Sequence, residues 1–116
     1  MLASAAVCLA SVIYAEARGE PVDGQIAVAQ VVLNRIEDSR WPDSICGIAE
    51  QPEQFASLPP DIETLAVALE VIREEHDDMT AGATHFYSGS PPWWAGEMER
   101  IGRIAGHTFM REPDWH

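Results

Sequence analysis

Glu16 stands where a carboxylate can do acid–base work, in the stretch Tyr14-Ala15-Glu16-Ala17-Arg18-Gly19-Glu20-Pro21. Leu2, Ala6, Leu9 and Ile13 recur at spacings of four, three and four, one face of a helix, and Glu16 comes next on that face. A carboxylate that ends a core-facing stripe loses solvent, and desolvation favours its neutral form, so its pKa is expected to rise. A carboxyl group still protonated near neutral pH is a general acid. Glu20 follows four residues later. One protonated and one ionised carboxyl side by side are what glycoside cleavage requires. Against this, Gly19 and Pro21 break the helix between them, and the plainer account is two acids at a fraying end paired with Arg18.

Three further groups have chemistry in them. Gln30 falls inside an apolar stripe with Asn34 one turn beyond, and a buried amide without partners costs about 1–3 kcal/mol. It either orients the acid or binds a sugar hydroxyl, or else it caps a loop carbonyl, the commoner role of such an amide. Thr84, His85 and Tyr87 alternate around Phe86 after Gly82, which suits an extended segment with one face on a ligand, or an edge strand with Phe86 in the core. Trp93 and Trp94 follow Pro91-Pro92, with Trp41 and Phe55 elsewhere. Two adjacent tryptophans on a stiff turn form a platform for sugar rings, and the expected outcome is mixed: one anchors the loop and the other is free.

Other chemistries find less support. His76, His85, His107 and His116 are scattered without a ligand spacing, so no metal or other cofactor is expected. No loop has the EF-hand pattern, there is no Gly-x-Ser-x-Gly, and Cys8 lies mid-helix. Cys8 and Cys46 make neither a disulfide framework nor a zinc site; they are either a pair or two small buried hydrophobes. A net charge of −12 with only seven Lys and Arg excludes a basic nucleic-acid surface and a polybasic membrane handle. The apolar start is too short and too rich in Ala and Ser to span a bilayer. No Lys or Arg precedes it, and cleavage there would remove the helix bearing Glu16, so no signal peptide is expected.

These residues must be positioned by a small scaffold. A chain of 116 residues is expected to form one domain, residues 1–116, and to act as a monomer. The first helix is predicted from Ala3 to Ala17, stopped by Gly19 and Pro21. A second is predicted from an Asp23 cap to Asp38, with Ile26, Ala29, Leu33 and Ile36 inward. Residues 39–60 read as a long loop. A third helix is predicted from Asp61 to His76, with Ile62, Leu65, Leu69 and Ile72 inward. A second loop, 80–96, precedes a short helix from Glu97 to Ala105 and a tail that is a short strand or coil. The fold class is mainly α (α+β), with two long loops facing each other across a groove.

The chain resembles the SleB-type cell wall hydrolases, the family of spore cortex-lytic enzymes and related phage and bacterial proteins. The resemblance rests on Ile13-Tyr14-Ala15-Glu16-Ala17-Arg18-Gly19-Glu20-Pro21, residues 24–35, Trp41-Pro42-Asp43-Ser44-Ile45-Cys46-Gly47, Gln54-Phe55, residues 82–87, and Ile104-Ala105-Gly106-His107-Thr108-Phe109, in order over nearly the whole chain. It implies a lysozyme-like fold and cleavage of peptidoglycan glycan strands, with Glu16 matching the catalytic glutamate. Many family members are lytic transglycosylases, in which one carboxyl protonates the glycosidic oxygen and then takes the proton of the muramic C6 hydroxyl. Hydrolysis would instead need a base for water, with Glu20 or Asp23 nearest. A non-catalytic glycan-binding protein is the rival from another class. Glu20, Gln30, Thr84, His85, Tyr87, Trp93 and Trp94 are the expected substrate-binding residues. The separate wall-binding domain of the spore enzymes has no match here, so a spore-cortex role is not implied. A signal-less enzyme of this kind fits a phage lysis protein released through a holin-like pore, a virion-associated enzyme, or a bacterial protein whose export segment lies outside the sequence.

Overall fold

The architecture is known from a computed structural model, which describes residues 2–51 and 59–113, with the side chains of Leu2 and Ala3 outside the described set. Gln54 and Phe55 lie outside the described residues. Helix α1, Leu2–Ala17, buries Ala6, Leu9 and Ile13 as the spacing requires, together with Ala10, Val12 and Ala17. Gly19 ends it with φ +81°, a left-handed conformation that only glycine adopts without cost.

Helix α2, Val22–Ile36, is the centre of the molecule: every residue from Gly24 to Val32 is buried. Leu33 and Ile36, predicted to face inward, are only half-buried. A helix apolar on all sides must be covered on all sides. Helices α1, α3 (Ile45–Ala49) and α4 (Ile62–Ile72) all pack against it. Its cap is Pro21 rather than the predicted Asp23, which sits in the first turn and favours the positive end of the helix dipole.

Helix α4 is shorter than predicted and turned on its axis. Asp61 caps it reciprocally with Thr64, and the buried face is Thr64, Val67, Ala68 and Val71. Ile62 is 84% exposed rather than inward.

The predicted helix at Glu97–Ala105 is not one. A single 3-10 turn, Trp93–Glu97, leads into β2, Glu99–Ile104, and β2 turns back at Ala105-Gly106 into β3, His107–Arg111. With β1, His85–Tyr87, they form an antiparallel sheet in the order β1-β3-β2. Phe86 is opposite Phe109 and Tyr87 opposite Thr108. Phe109 is fully buried against the helices, and side-chain alternation turns His85 and Tyr87 to the other face of β1.

Cys8 and Cys46 form a disulfide, which ties α3 to α1 across a sequence separation of 38 residues. Among the described residues no helix is long and apolar enough to cross a membrane.

Candidate active site

Glu16 sits on the last turn of α1, half-buried, at the end of the stripe of Ala6, Leu9 and Ile13. Among the described residues no hydrogen bond or ion pair engages its carboxylate. Arg18 makes no ion pair with it among the described residues; its guanidinium lies 5.0 Å from the Tyr14 ring centre.

Glu20 is differently placed. Its Oε1 accepts from the Gly106 N–H at 2.7 Å, and its Oε2 lies 3.0 Å from His107 Nδ1, off the line of an aligned hydrogen bond. The His107 ring is buried beside Phe86. Glu20 is thus bonded to the chain rather than facing a ligand. Gln30 is likewise occupied: its Nε2 donates to the Asp77 carbonyl at 2.9 Å and its Oε1 accepts from the Met79 N–H at 3.1 Å. This is the loop-capping role that stood against sugar binding. Asn34 continues the bracing, donating to Thr80 Oγ1 and to the Ala83 carbonyl. Asp78 closes the same loop. Burial works to raise its pKa, but hydrogen bonds from Thr80, Gly82 and Asn34 outweigh it and hold the carboxyl below its ordinary value.

The loop so braced delivers Thr84, His85 and Tyr87. Thr84 is buried, with its hydroxyl 3.0 Å from His85 Nδ1. His85 lies between two tryptophans, 5.7 Å from Trp41 of the first loop and 5.2 Å from Trp94 of the second. The two loops therefore meet at His85. Burial first, then the positive charge of Arg35 and Arg40, push its pKa down to about 4, with Glu112 opposing. The imidazole is neutral near pH 7, with one nitrogen able to donate and the other to accept. Tyr87 packs edge-on against Trp94 at 6.0 Å. Trp93 is 86% exposed, so the two tryptophans divide as expected into an anchor and a free face.

A cavity of about 580 Å³ opens beside this cluster, lined by His85, Trp94, Glu97, Met98, Glu112 and Pro113. Among the described residues its lining does not include Glu16. What joins the two regions is the Glu20 contact: it fixes the end of α1 to the β2–β3 turn, the end of the sheet at which Tyr87 pairs with Thr108.

Sequence reasoning left several of these residues without a role. Arg35 is buried under Trp41 and donates from Nε to the Thr84 carbonyl. A cation within the apolar run of α2 was the available signal for it. Arg40 binds Asp38 and Glu112, and its guanidinium lies 4.8 Å from the Trp41 ring centre. It depresses the Asp38 pKa to about 2. Nothing in the spacing of Glu97, Met98, Glu112 or His107 announced their positions. The one described cluster with metal-ligand spacing, Cys8, Cys46 and Glu50, has its two sulfurs bonded to each other.

Residues 19–110 match a family described as Cell Wall Hydrolase. The chain is 32% identical over 110 residues to the spore cortex-lytic enzyme of Halalkalibacterium halodurans, covering 87% of this chain and 33% of that protein. It is 34% identical over 110 residues to the spore cortex-lytic enzyme of Bacillus subtilis, covering 87% of this chain and 35% of that one. The chain therefore spans about a third of the length of these relatives. The structure is similar to the catalytic domain of the Bacillus cereus SleB protein, with a TM-score of 0.80, 28% identity and coverage of 93% and 91% of the two chains. It is also similar to the catalytic domain of the germination-specific lytic transglycosylase SleB from Bacillus anthracis, with a TM-score of 0.82, 28% identity and coverage of 92% and 93%.

Proposed function

This chain belongs to the cell wall hydrolase family, and from that premise we propose that it cleaves peptidoglycan glycan strands as a lytic transglycosylase, with Glu16 as sole acid/base. In this reaction the Glu16 carboxyl donates its proton to the glycosidic oxygen as the bond from that oxygen to muramic C1 breaks. The resulting carboxylate then takes the proton of the muramic C6 hydroxyl as O6 bonds to C1. The glutamate ends as it began, and the products are a free 4-hydroxyl on one fragment and a 1,6-anhydro ring on the other.

The observation that carries this reading is the contrast between two carboxylates four residues apart. Glu16 has no partner among the described residues, whereas Glu20 is held by Gly106 and His107. A hydrolase would need a second carboxylate to activate water; Glu20 is taken up by the chain, which leaves Asp23, exposed in the first turn of α2, as the base that product analysis tests. The similar domain from Bacillus anthracis, that of a lytic transglycosylase, supports the same choice. Thr84, His85 and Tyr87 supply polar contacts to the sugar, while Trp94 and the exposed Trp93 offer faces for its rings. Removing a general acid costs about 10²- to 10⁴-fold in rate. Glu16→Gln should therefore abolish clearing of a peptidoglycan suspension while keeping the shape of the side chain. Mass spectrometry of wild-type products should find 1,6-anhydromuramic ends; reducing ends bearing added water would establish hydrolysis instead. Wild-type clearing by Glu16→Gln would remove Glu16 from the chemistry.

A further inference from the structure

The end of α1 is fastened to the hairpin of β2 and β3 through a junction that the acid/base reaction does not itself use. Glu20 leaves the helix just after Gly19 and sends its carboxylate to two neighbouring groups, the Gly106 N–H at 2.7 Å and His107 Nδ1 at 3.0 Å. Its own carbonyl accepts from Gln25 Nε2 at 3.1 Å, which binds it also to the first turns of α2. The surfaces approach closely: a Cβ on Gly24 would lie 2.6 Å from the Ala105 Cβ, which leaves no room for a larger residue, and a Cβ on Gly106 would lie 3.0 Å from Glu20 Oε1, close enough to push that oxygen aside by a few tenths of an ångström. His107 is buried and wedged against Phe86 of β1, so the contact reaches the strand that presents His85 and Tyr87.

We propose that Glu20 is a positioning residue: bonded to the Gly106 N–H and seated against His107, it fixes the last turn of α1, and with it Glu16, relative to the substrate-facing sheet. The inference rests on Glu16 being the acid. A general acid must meet the glycosidic oxygen within hydrogen-bond reach, and a misplacement of about 1 Å costs on the order of 10²-fold. Ala17 anchors the last turn of α1 in the core, and beyond it Gly19 frees the chain, so the Glu20 contact is what ties that end to the hairpin.

The test compares Glu20→Ala, Glu20→Gln and Gly106→Ala by turnover of purified peptidoglycan at saturation and by wall pull-down, the latter in a Glu16→Gln background so that nothing is consumed. Glu20→Ala should lower turnover by about tenfold or more and leave wall binding within about twofold. Glu20→Gln keeps an oxygen for the Gly106 N–H and should recover turnover to within about threefold of wild type. Gly106→Ala puts a Cβ 3.0 Å from the same oxygen and displaces it by a few tenths of an ångström, so it should lower turnover in the same direction, by a smaller factor and without loss of wall binding, even if Glu20→Ala fails to fold. Unchanged turnover in Glu20→Ala, or in Gly106→Ala where Glu20→Ala does not fold, overturns the proposal. A parallel loss of binding and turnover makes Glu20 a substrate contact instead, and a dead Glu20→Gln makes its charge part of the chemistry. Activity surviving in Glu16→Gln alone would defeat the underlying reading, a result that none of the Glu20 outcomes can imitate.

Discussion

Arg35 Nε donates to the Thr84 carbonyl at 2.7 Å while the same guanidinium lies 4.9 Å from the centre of the Trp41 ring. One buried side chain thus joins the central helix, the first loop and the start of β1. Burial lowers its pKa to about 10, so it remains charged at neutral pH. Its place within an apolar helix follows from this bond, since a buried cation is tolerated only where its donors are used.

Arg35→Met should leave the buried Thr84 carbonyl short of its donor and cost about 1–3 kcal/mol, with the loss of the stacked cation adding about 1 kcal/mol. Arg35→Lys should rescue little, because an ammonium cannot stack flat on the indole and also present a sideways N–H. Urea unfolding measures both. A midpoint for Arg35→Met equal to wild type would show that the strand is held by other contacts.

The Cys8–Cys46 bond closes a separation of 38 residues, for which the chain-entropy account gives about 4 kcal/mol. Reduction, or the double replacement of both cysteines by alanine, should lower unfolding stability by about 2–4 kcal/mol. Catalytic rate well below the melting temperature should persist, because the bond joins α1 to α3 on the first turns of α1, away from Glu16. Thermal melts with and without reductant decide it, and superimposable curves would contradict the assignment of any stabilising role.

His85 sets a pH dependence with a definite sign. Its folded pKa is about 4 against 6.5 for the free side chain, chiefly through burial. Between those values the unfolded chain binds a proton that the native protein does not, so stability rises with pH across that window. The contribution is complete above pH 6.5 and declines as pH falls toward 4. His85→Gln removes it, and the difference in urea midpoint between pH 4.5 and pH 7.5 should be smaller in that variant than in wild type. Equal differences would mean that His85 titrates normally in the fold.

The helices were legible where burial follows a single periodicity. Leu9 and Ile13 marked the inner face of α1 because nothing polar interrupts it. On α4 the pattern misled. Ile62 occupies the first turn beside the cap and faces solvent, while Thr64 is buried because Asp61 satisfies its hydroxyl and its N–H. The segment Glu99–Ile104 does not read as a strand because it lies at the sheet's edge, half of it exposed, and an irregularity between Arg100 and Gly102 breaks the two-residue alternation. Within the site, Glu16 was visible as the end of a stripe. The partners of Glu20 were not: Gly106 lies 86 residues away, and no local pattern encodes a contact at that distance.

Trp93 and Trp94 allow binding to be separated from folding. Trp93 is 86% exposed, so Trp93→Ala should change unfolding stability by no more than about 0.5 kcal/mol. If stacking on a sugar ring matches an aromatic pair, about 0.5–1.5 kcal/mol, the same variant should bind wall material roughly two- to tenfold more weakly. Trp94 packs on both His85 and Tyr87. Trp94→Ala should therefore cost about 1–3 kcal/mol of stability as well as binding, because it removes half-buried aromatic surface from the cluster. Wall pull-down and urea unfolding on the two variants give four numbers. If Trp93→Ala binds as wild type does, the exposed indole is not a sugar platform, and the ring-stacking role falls to Trp94 alone.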